Sequence, residues 1–279
     1  MPKPLLKWVG GKTKLLKELS LYVPNNYSTY IEPFVGGGAL LFSLSPSKGI
    51  ITDANRELIN FYKQVRDNPL ELLTLTKVYD LSEEAYYKIR MDDREIDWRD
   101  DKSCLQRAAR FLYLNKTAFN GMWRVNASGK MNVPFGKYSK ISLPKEEHII
   151  KISKLLRNIL ILSVDFYDTL EYVDKNTFVY LDPPYIPYSE TANFTNYASK
   201  GFEEYDHVRL VKYCQELTAR GAKFLLSNSD TPLTRSLFRE YSFTSLNVYH
   251  SVGASAESRI DKGEVLVRNY EGNCAGLFL

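Results

Sequence analysis

The sequence predicts an open α/β sheet with a mostly helical module inserted after its second strand. Three observations predict it. Residues 30–53 read as strand, glycine turn, helix, strand; the alternation stops between about Asn55 and Pro144; and it resumes after Pro144. Strands that alternate with helices build a mostly parallel sheet covered by helices. The expected division is a sheet domain of residues 1–54 and 145–279 and an inserted domain of residues 55–144.

The first stretch, Leu5-Leu6-Lys7-Trp8-Val9-Gly10-Gly11-Lys12-Thr13, leads into a predicted helix at Lys14–Leu21. Its Gly-Lys-Thr ending is not a phosphate loop, because Leu6 stands where that motif needs its first glycine. A glycine pair between Trp8 and Lys12 still lets backbone approach a ligand while a cation meets its carboxylate. A plain N-terminal arm is the alternative. Next, Tyr30-Ile31-Glu32-Pro33-Phe34-Val35 runs into Gly36-Gly37-Gly38 and a helix whose apolar side begins at Leu40. Three consecutive glycines are entropically unfavourable, so they imply a sharp bend or backbone laid against a ligand. Leu41 occupies the third glycine position of G-x-G-x-x-G, which disfavours a nicotinamide or flavin site. The second strand, Gly49–Thr52, ends at Asp53, where a carboxylate can take the hydroxyls of a ribose. Asp53 also fits as the cap of a helix at Asn55–Val65.

In the insertion, helical patterns cover Glu57–Arg66, Pro69–Val78, Glu83–Arg90 and Cys104–Lys116. The densely charged Met91–Lys102 reads as a solvated loop. Two β-prone runs around Ala127-Ser128-Gly129 read as a hairpin. Arg107, Arg110, Lys116, Arg124, Lys130, Lys137 and Lys140 interleave here with Phe119, Trp123, Phe135 and Tyr138. Cations with aromatics on a hairpin suit phosphate contacts combined with base-edge or stacking contacts. A hairpin that packs its aromatics inward is the alternative.

After Pro144 come a helix at Glu147–Leu156, a strand at Ile159–Ser163 before Asp165-Phe166, and a strand at Thr177–Leu181. A helix at Glu203–Arg220 and a strand at Ala222–Leu226 follow, closed by Ser227-Asn228-Ser229-Asp230. Helix Pro232–Arg239, β-prone runs Phe243–Tyr249 and Glu264–Tyr270, and a loop at Val252–Gly263 complete the chain. The strand at Thr177–Leu181 stops abruptly at Asp182-Pro183-Pro184-Tyr185. Two prolines fix the backbone and remove two amide donors. A carboxylate, an unpaired carbonyl and an aromatic face are left together at a strand's carboxyl end, where α/β folds bind ligands. Such a set suits a flat substrate carrying an NH₂ group.

Composition excludes more than it selects. A net charge of +4 permits a nucleic-acid partner without demanding one. Cys104, Cys214 and Cys274 form no C-x-x-C, and His148, His207 and His250 form no H-E-x-x-H. The expectation is a reduced compartment with neither a disulfide framework nor a metal site. No apolar run approaches a membrane span and the N-terminus lacks a signal-peptide core, so a soluble, cytoplasmic protein is expected, not a secreted one.

Six stretches, taken in order, resemble the DNA adenine-N6 methyltransferases of the Dam and DpnM type. They are residues 7–12, 32–38, 120–126, 132–138, Asp182-Pro183-Pro184-Tyr185 and 226–231. The resemblance implies an open Rossmann-like methyltransferase sheet, S-adenosylmethionine as cofactor, and double-stranded DNA as partner. It implies that Trp8 and Lys12 hold the methionine end, that Phe34 and the Gly36–Gly38 turn line the pocket, and that Asp53 takes the ribose. Asp165 and Phe166 would contact the cofactor's adenine, and Asp182 would border cofactor and target alike. Asp182 and the Pro183 carbonyl would accept the target N6–H₂, with the flipped base stacked on Tyr185.

Sequence reading would fall to the insertion. By resemblance Arg124 contacts a guanine, Met122 and Pro134 a thymine methyl, Phe119 wedges into the stack, Asn120 meets the orphaned base and Lys7 the outer pair. This set points to GATC. Lys137 replaces an arginine often found there; with Tyr138 it joins the expected DNA contacts. A cognate restriction endonuclease acting on the same site is an expected partner. A cytosine-N4 enzyme more often carries Ser at the position of Asp182, and a glutamine-modifying enzyme Asn. A silent DNA-binding homologue would not need Asp182, Tyr185, Lys12 and Asp53 intact together.

Overall fold

A computed structural model of the chain describes residues 2–187, 202–246 and 263–271. Its strands are β1 (Thr29–Glu32), β2 (Gly49–Thr52), β3 (Ile159–Leu162), β4 (Thr177–Leu181), β5 (Lys223–Ser229), β6 (Ser242–Leu246) and β7 (Glu264–Arg268). They form one sheet in the order β3-β2-β1-β4-β5-β7-β6. The pairs β2–β3, β1–β4 and β4–β5 are parallel, and β7 runs antiparallel between β5 and β6. Every residue of β1, β2 and β4 is buried, as expected of parallel strands covered on both faces. The order reverses between β1 and β4, which lie side by side with Ile31 opposite Val179. Such a reversal is where open α/β sheets bind ligands, beyond the strands' carboxyl ends. Asp182 directly follows β4.

The helices are α1 (Leu16–Ser20), α2 (Ala39–Leu44), α3 (Arg56–Asp67), α4 (Pro69–Lys77), α5 (Glu83–Met91), α6 (Trp98–Asp101), α7 (Cys104–Thr117), α8 (Glu146–Leu156), α9 (Glu204–Ala219) and α10 (Pro232–Leu237). The chain divides into two compact units, Met1–Lys17 with Val35–Asp165, and Glu18–Phe34 with Phe166–Leu279.

In the first unit α3 is capped by Asn55, whose Oδ1 accepts the amides of Glu57 and Leu58 at 3.1 and 3.2 Å. Asp53 is therefore not the cap; its two oxygens are taken by other amides, described below. A reciprocal Ser103–Gln106 capping box opens α7. The segment Met91–Lys102 is not the solvated loop its composition suggests. It folds as a 3-10 turn at Asp92–Arg94 followed by α6, with Asp93 and Trp98 buried. Asp92, Asp93, Arg94, Arg99 and Lys102 are paired within the unit, while Glu95, Asp97, Asp100 and Asp101 stay exposed. Arg99 and Arg107 bind Glu57, and Arg110, 1% exposed, sits 3.2 Å from Asp93 and donates to the Ile89 and Arg90 carbonyls. Burial lowers the Arg110 pKa, and Asp93 and Asp92 oppose that shift. Removing one partner from such a buried pair costs about 3–5 kcal/mol. Arg107 and Arg110 are thus structural; they do not join the expected phosphate contacts.

Other differences are local. The predicted helix Lys14–Leu21 is a 3-10 turn, Lys12–Leu15, running into α1. The expected hairpin is held by two isolated bridges, Ala118↔Phe135 and Val125↔Met131, not by regular strands. Asn126 Oδ1 takes the amides of Ser128 and Lys130, and Pro134 offers no amide, so a continuous ladder cannot form. The inner faces of these segments join Tyr86, Ile89, Tyr113 and Leu114 in a small core through Ala118, Met131 and Val133.

In the second unit β4 lies between β1 and β5, and Phe178 packs with Tyr27 and Tyr30. The β-prone run read as Phe243–Tyr249 is described as β6, ending at Leu246. Residues 247–249 and all but the last residue of the Val252–Gly263 loop lie outside the described residues. Among the described residues Cys104 is exposed and Cys214 buried, both as free thiols. No described helix is long and apolar enough to cross a membrane, and no cluster of three metal-ligating side chains occurs among the described residues.

Candidate functional site

The first unit builds a glycine cradle. Gly36 has φ 45°, and a Cβ there would lie 2.7 Å from Trp8 Cδ1 and 2.9 Å from Nε1. The turn is locked by the carboxylate at the end of β2. Gly36 N–H donates to Asp53 Oδ2 at 3.0 Å, Asn55 N–H donates to Oδ1 at 2.9 Å, and the Tyr62 hydroxyl donates to Gly36 O at 2.7 Å. Burial raises the Asp53 pKa, and the two amide bonds act against that rise. Gly38, left-handed at φ 68°, starts α2. Lys12 is 6% exposed and its ammonium donates to Gly10 O at 2.8 Å. Asp165, three residues beyond β3, is exposed.

The same unit carries the expected DNA contacts on its outer side. Phe119 is 48% exposed and Asn120, at φ 54°, is exposed beside it. Pro134, Lys137 and Lys7 are exposed, while Met122, Arg124 and Tyr138 are half-buried. Met122 rests partly on the small core beneath, so only part of its side chain is available outward. Arg124 Nε donates to Asn132 Oδ1 at 2.8 Å, which fixes the plane of its guanidinium. Trp123 packs on Phe111 at 4.2 Å, and Lys7 Nζ lies 5.7 Å above the Tyr138 ring.

The second unit supplies the acceptor. Leu181 is opposite Leu226, so Asp182 emerges beside Ser227. Ser227 Oγ donates to Asp182 Oδ1 at 3.0 Å and, with that proton committed, accepts from the Tyr180 hydroxyl at 3.0 Å. Asn228 Oδ1 accepts Ile186 N–H at 3.0 Å, and Ser229 Oγ donates to Ile186 O. Tyr185 is 36% exposed and its hydroxyl donates to Glu264, which is buried at the start of β7. Burial, with Asp182 and Glu264 adding to it, drives the Tyr185 pKa far upward, so the phenol stays a neutral donor. Phe34 and Phe166 pack at 5.3 Å, with the Arg209 guanidinium 4.8 Å from the Phe166 ring.

A family model for D12 class N6 adenine-specific DNA methyltransferases matches residues 8–252. The chain belongs to that family. A "Type II methyltransferase M1.LlaDCHI" of Lactococcus lactis is 41% identical over 273 residues, covering 96% of this chain and 95% of the relative. A "Type II methyltransferase M.MjaIII" of Methanocaldococcus jannaschii is 38% identical over 96% of this chain and 99% of its own. A "DNA adenine methylase" of Haemophilus influenzae is 31% identical over 95% and 92%.

The D12 match ends at residue 252, so it does not include Glu264, the partner of Tyr185. Sequence reading also passed over Ser227, Asn228 and Ser229, although they closed a strand in a run of small polar residues. Asn132, which orients Arg124, lies in the 132–138 stretch, where the resemblance assigns it no role. A buried polar triplet on a central strand was the available signal.

Proposed function

We propose that this DNA adenine-N6 methyltransferase uses S-adenosylmethionine and modifies the adenine of GATC in duplex DNA. The observation that carries the reading is the fixed pair at the end of β4: a carboxylate held by Ser227 and an aromatic ring held by Glu264. The residues present fit the cofactor by their chemistry. In the first unit a glycine cradle that a Cβ would fill, a carboxylate at the end of β2 and a buried ammonium suit a methionine and a ribose, and in the second unit an aromatic pair suits an adenine. Trp8 and Lys12 would hold its methionine end, Asp53 its ribose, Phe34, Asp165 and Phe166 its adenine, and Gly36–Gly38 its backbone contact.

The cofactor supplies an electrophilic methyl on a sulfonium, with a neutral thioether as leaving group. Adenine N6 is a poor nucleophile because its lone pair is delocalised into the ring. Asp182 and the Pro183 carbonyl accept its two N–H bonds and favour a more tetrahedral nitrogen whose lone pair can attack. Asp182 would face the positive charge that develops on N6, and the proton that N6 then loses would pass to water. Orientation and preset acceptors account for most of the gain. Tyr185 holds the flipped base by stacking. Residues 55–144 would form the recognition domain, with Lys7, Phe119, Asn120, Met122, Arg124, Pro134, Lys137 and Tyr138 on the duplex. The relatives named type II methyltransferases are more similar to this chain than the adenine methylase is, which favours a cognate restriction endonuclease as companion.

Tritiated methyl transfer into duplexes with and without GATC tests the reading. Label on adenine of GATC alone is expected; label on cytosine, on protein or nowhere overturns it. Asp182→Ala is expected to abolish transfer while S-adenosylhomocysteine still binds, and normal turnover would remove Asp182 from its role.

A further inference from the structure

Within the first unit one short segment joins the cradle to the DNA-facing side. Trp8 packs against the Gly36 turn, and its neighbour Lys7 lies on the outer surface beside Tyr138. The backbone between them is gripped by the end of α7. Asn115, fully buried, accepts Lys7 N–H at 3.2 Å on Oδ1 and donates from Nδ2 to Lys7 O at 2.8 Å. The same Nδ2 donates to Gly121 O at 3.1 Å, directly behind Asn120 and Met122. One amide therefore reads both polar groups of Lys7 as a paired strand would, and ties them to the reading loop. Lys116 adds a second tether, its ammonium donating to Leu5 O at 2.5 Å. Its pKa is pushed down to about 8, by burial first and then by Lys7. Gly121 closes the other side, since a Cβ there would lie 2.6 Å from Lys7 Cδ. A second path is aromatic: Trp8 packs on Phe111 at 6.2 Å, and Phe111 on Trp123 next to Arg124.

We propose that Asn115 is a positioning residue that couples the two ligands, so that cofactor seated against Trp8 sets Lys7 and the Gly121 loop for the duplex. The inference rests on the reading that Trp8 meets the cofactor and Lys7 the DNA. A loose segment would let each ligand order its own side independently. A segment pinned at Leu5, Lys7 and Gly121 moves as one piece, so ordering by the first ligand is not repeated for the second. Linkage makes the effect reciprocal, and typical coupling is about 5–150-fold. It also assigns a use to a buried polar side chain that phosphate and base contacts leave unexplained. A buried amide with three satisfied bonds specifies one position for its partners, which an apolar residue would not do.

The experiment is a binding square with S-adenosylhomocysteine and a GATC duplex, each titrated alone and in the presence of the other, on the full chain. In the wild type each ligand is expected to tighten the other by the same factor, at least about fivefold. Asn115→Ala is expected to leave both binary affinities within about threefold and to bring the coupling close to one. Lys116→Met, which cuts only the Leu5 tether, is expected to reduce coupling by a smaller factor, and it carries the test if Asn115→Ala does not fold. Uncoupled binding in the wild type, or unchanged coupling in the folded variants, overturns the proposal. So does a uniform loss of both binary affinities with coupling intact, which marks Asn115 as merely structural. Wild-type protein that binds no S-adenosylhomocysteine fails differently, because it removes the cofactor reading itself.

Discussion

Gly36→Ala perturbs the cradle with the smallest possible side chain. Two effects combine. The residue sits at φ 45°, and an L-residue in the left-handed region costs roughly 1–2 kcal/mol. The new Cβ would also lie 2.7 and 2.9 Å from the Trp8 indole, inside ordinary contact, and overpacking of that kind costs about 1–3 kcal/mol. Together they take away about 2–5 kcal/mol from a total that is about 5–15 kcal/mol in most domains. Gly129→Ala is the control. Gly129 has φ 72° but nothing within 4 Å of its virtual Cβ, so only the backbone penalty applies. Urea midpoints are expected to fall further for Gly36→Ala than for Gly129→Ala, the difference reporting the indole contact. Any shift at Gly36 also disturbs its amide bond to Asp53. Calorimetric S-adenosylhomocysteine affinity is therefore expected to drop about tenfold or more, corresponding to about 1.4 kcal/mol, in the first variant alone. Equal destabilisation of the two variants, with cofactor affinity within about twofold of wild type, would refute the cradle.

Arg124→Ala is expected to relax preference at one base pair, by about 1–3 kcal/mol of discrimination, more than it weakens total affinity. Equal loss across all duplexes at fixed salt would make Arg124 a phosphate contact instead. Tyr185→Phe keeps the ring and removes only the hydroxyl bound by Glu264, so kcat/KM should fall less than in Tyr185→Ala. The alanine variant also loses a stacking surface worth about 1–3 kcal/mol per base, and matched losses in steady-state kinetics would show that the ring is not the platform. Asp53 gives a pH dependence of defined sign. Its folded-state pKa is raised above 3.8, so the folded, ligand-free chain binds this proton more tightly than the unfolded chain does. Its contribution to stability falls as pH rises from 3.8 through the raised value, and Asp53→Asn should remove that component from urea midpoints. Ribose hydroxyls donate to the ionised carboxylate, so S-adenosylhomocysteine affinity should rise over the same window and flatten in Asp53→Asn.

What could be read from the sequence was whatever a short run of residues determines by itself. The glycine turn before α2, the strand ending at Asp182 and the lost rhythm after Asn55 are of this kind. What stayed hidden was pairing between distant residues. Ser227 reaches Asp182 across 45 positions and Glu264 reaches Tyr185 across 79, through strand neighbours that no local pattern specifies. Composition also cannot separate a solvated charge run from an internal ion-pair network. Met91–Lys102 looked wholly solvated because Glu57 and Arg110, the partners of Arg99 and Asp93, lie on other helices. The asparagines were overlooked for a similar reason. Asn115 is one polar residue in an apolar stretch of α7, and its meaning depends on Lys7, 108 positions away.

A carboxylate at position 182 has a chemical rationale in the proposed reaction. Methyl transfer from a sulfonium to a neutral amine moves a positive charge from sulfur to nitrogen. A neutral acceptor would hold the amine in place but would not favour the nitrogen end over the sulfur end. A carboxylate facing the nitrogen does, because its attraction grows as charge arrives there, and a preset charge needs no reorganisation at that moment. Ser227 fixes Asp182 through a neutral hydroxyl, a bond that sets the carboxylate's position without neutralising it. Glu264 adds to the same field while bonding Tyr185, and Glu32 accepts from Tyr30 at 2.8 Å. Bonds from hydroxyls position these carboxylates and add no positive charge of their own.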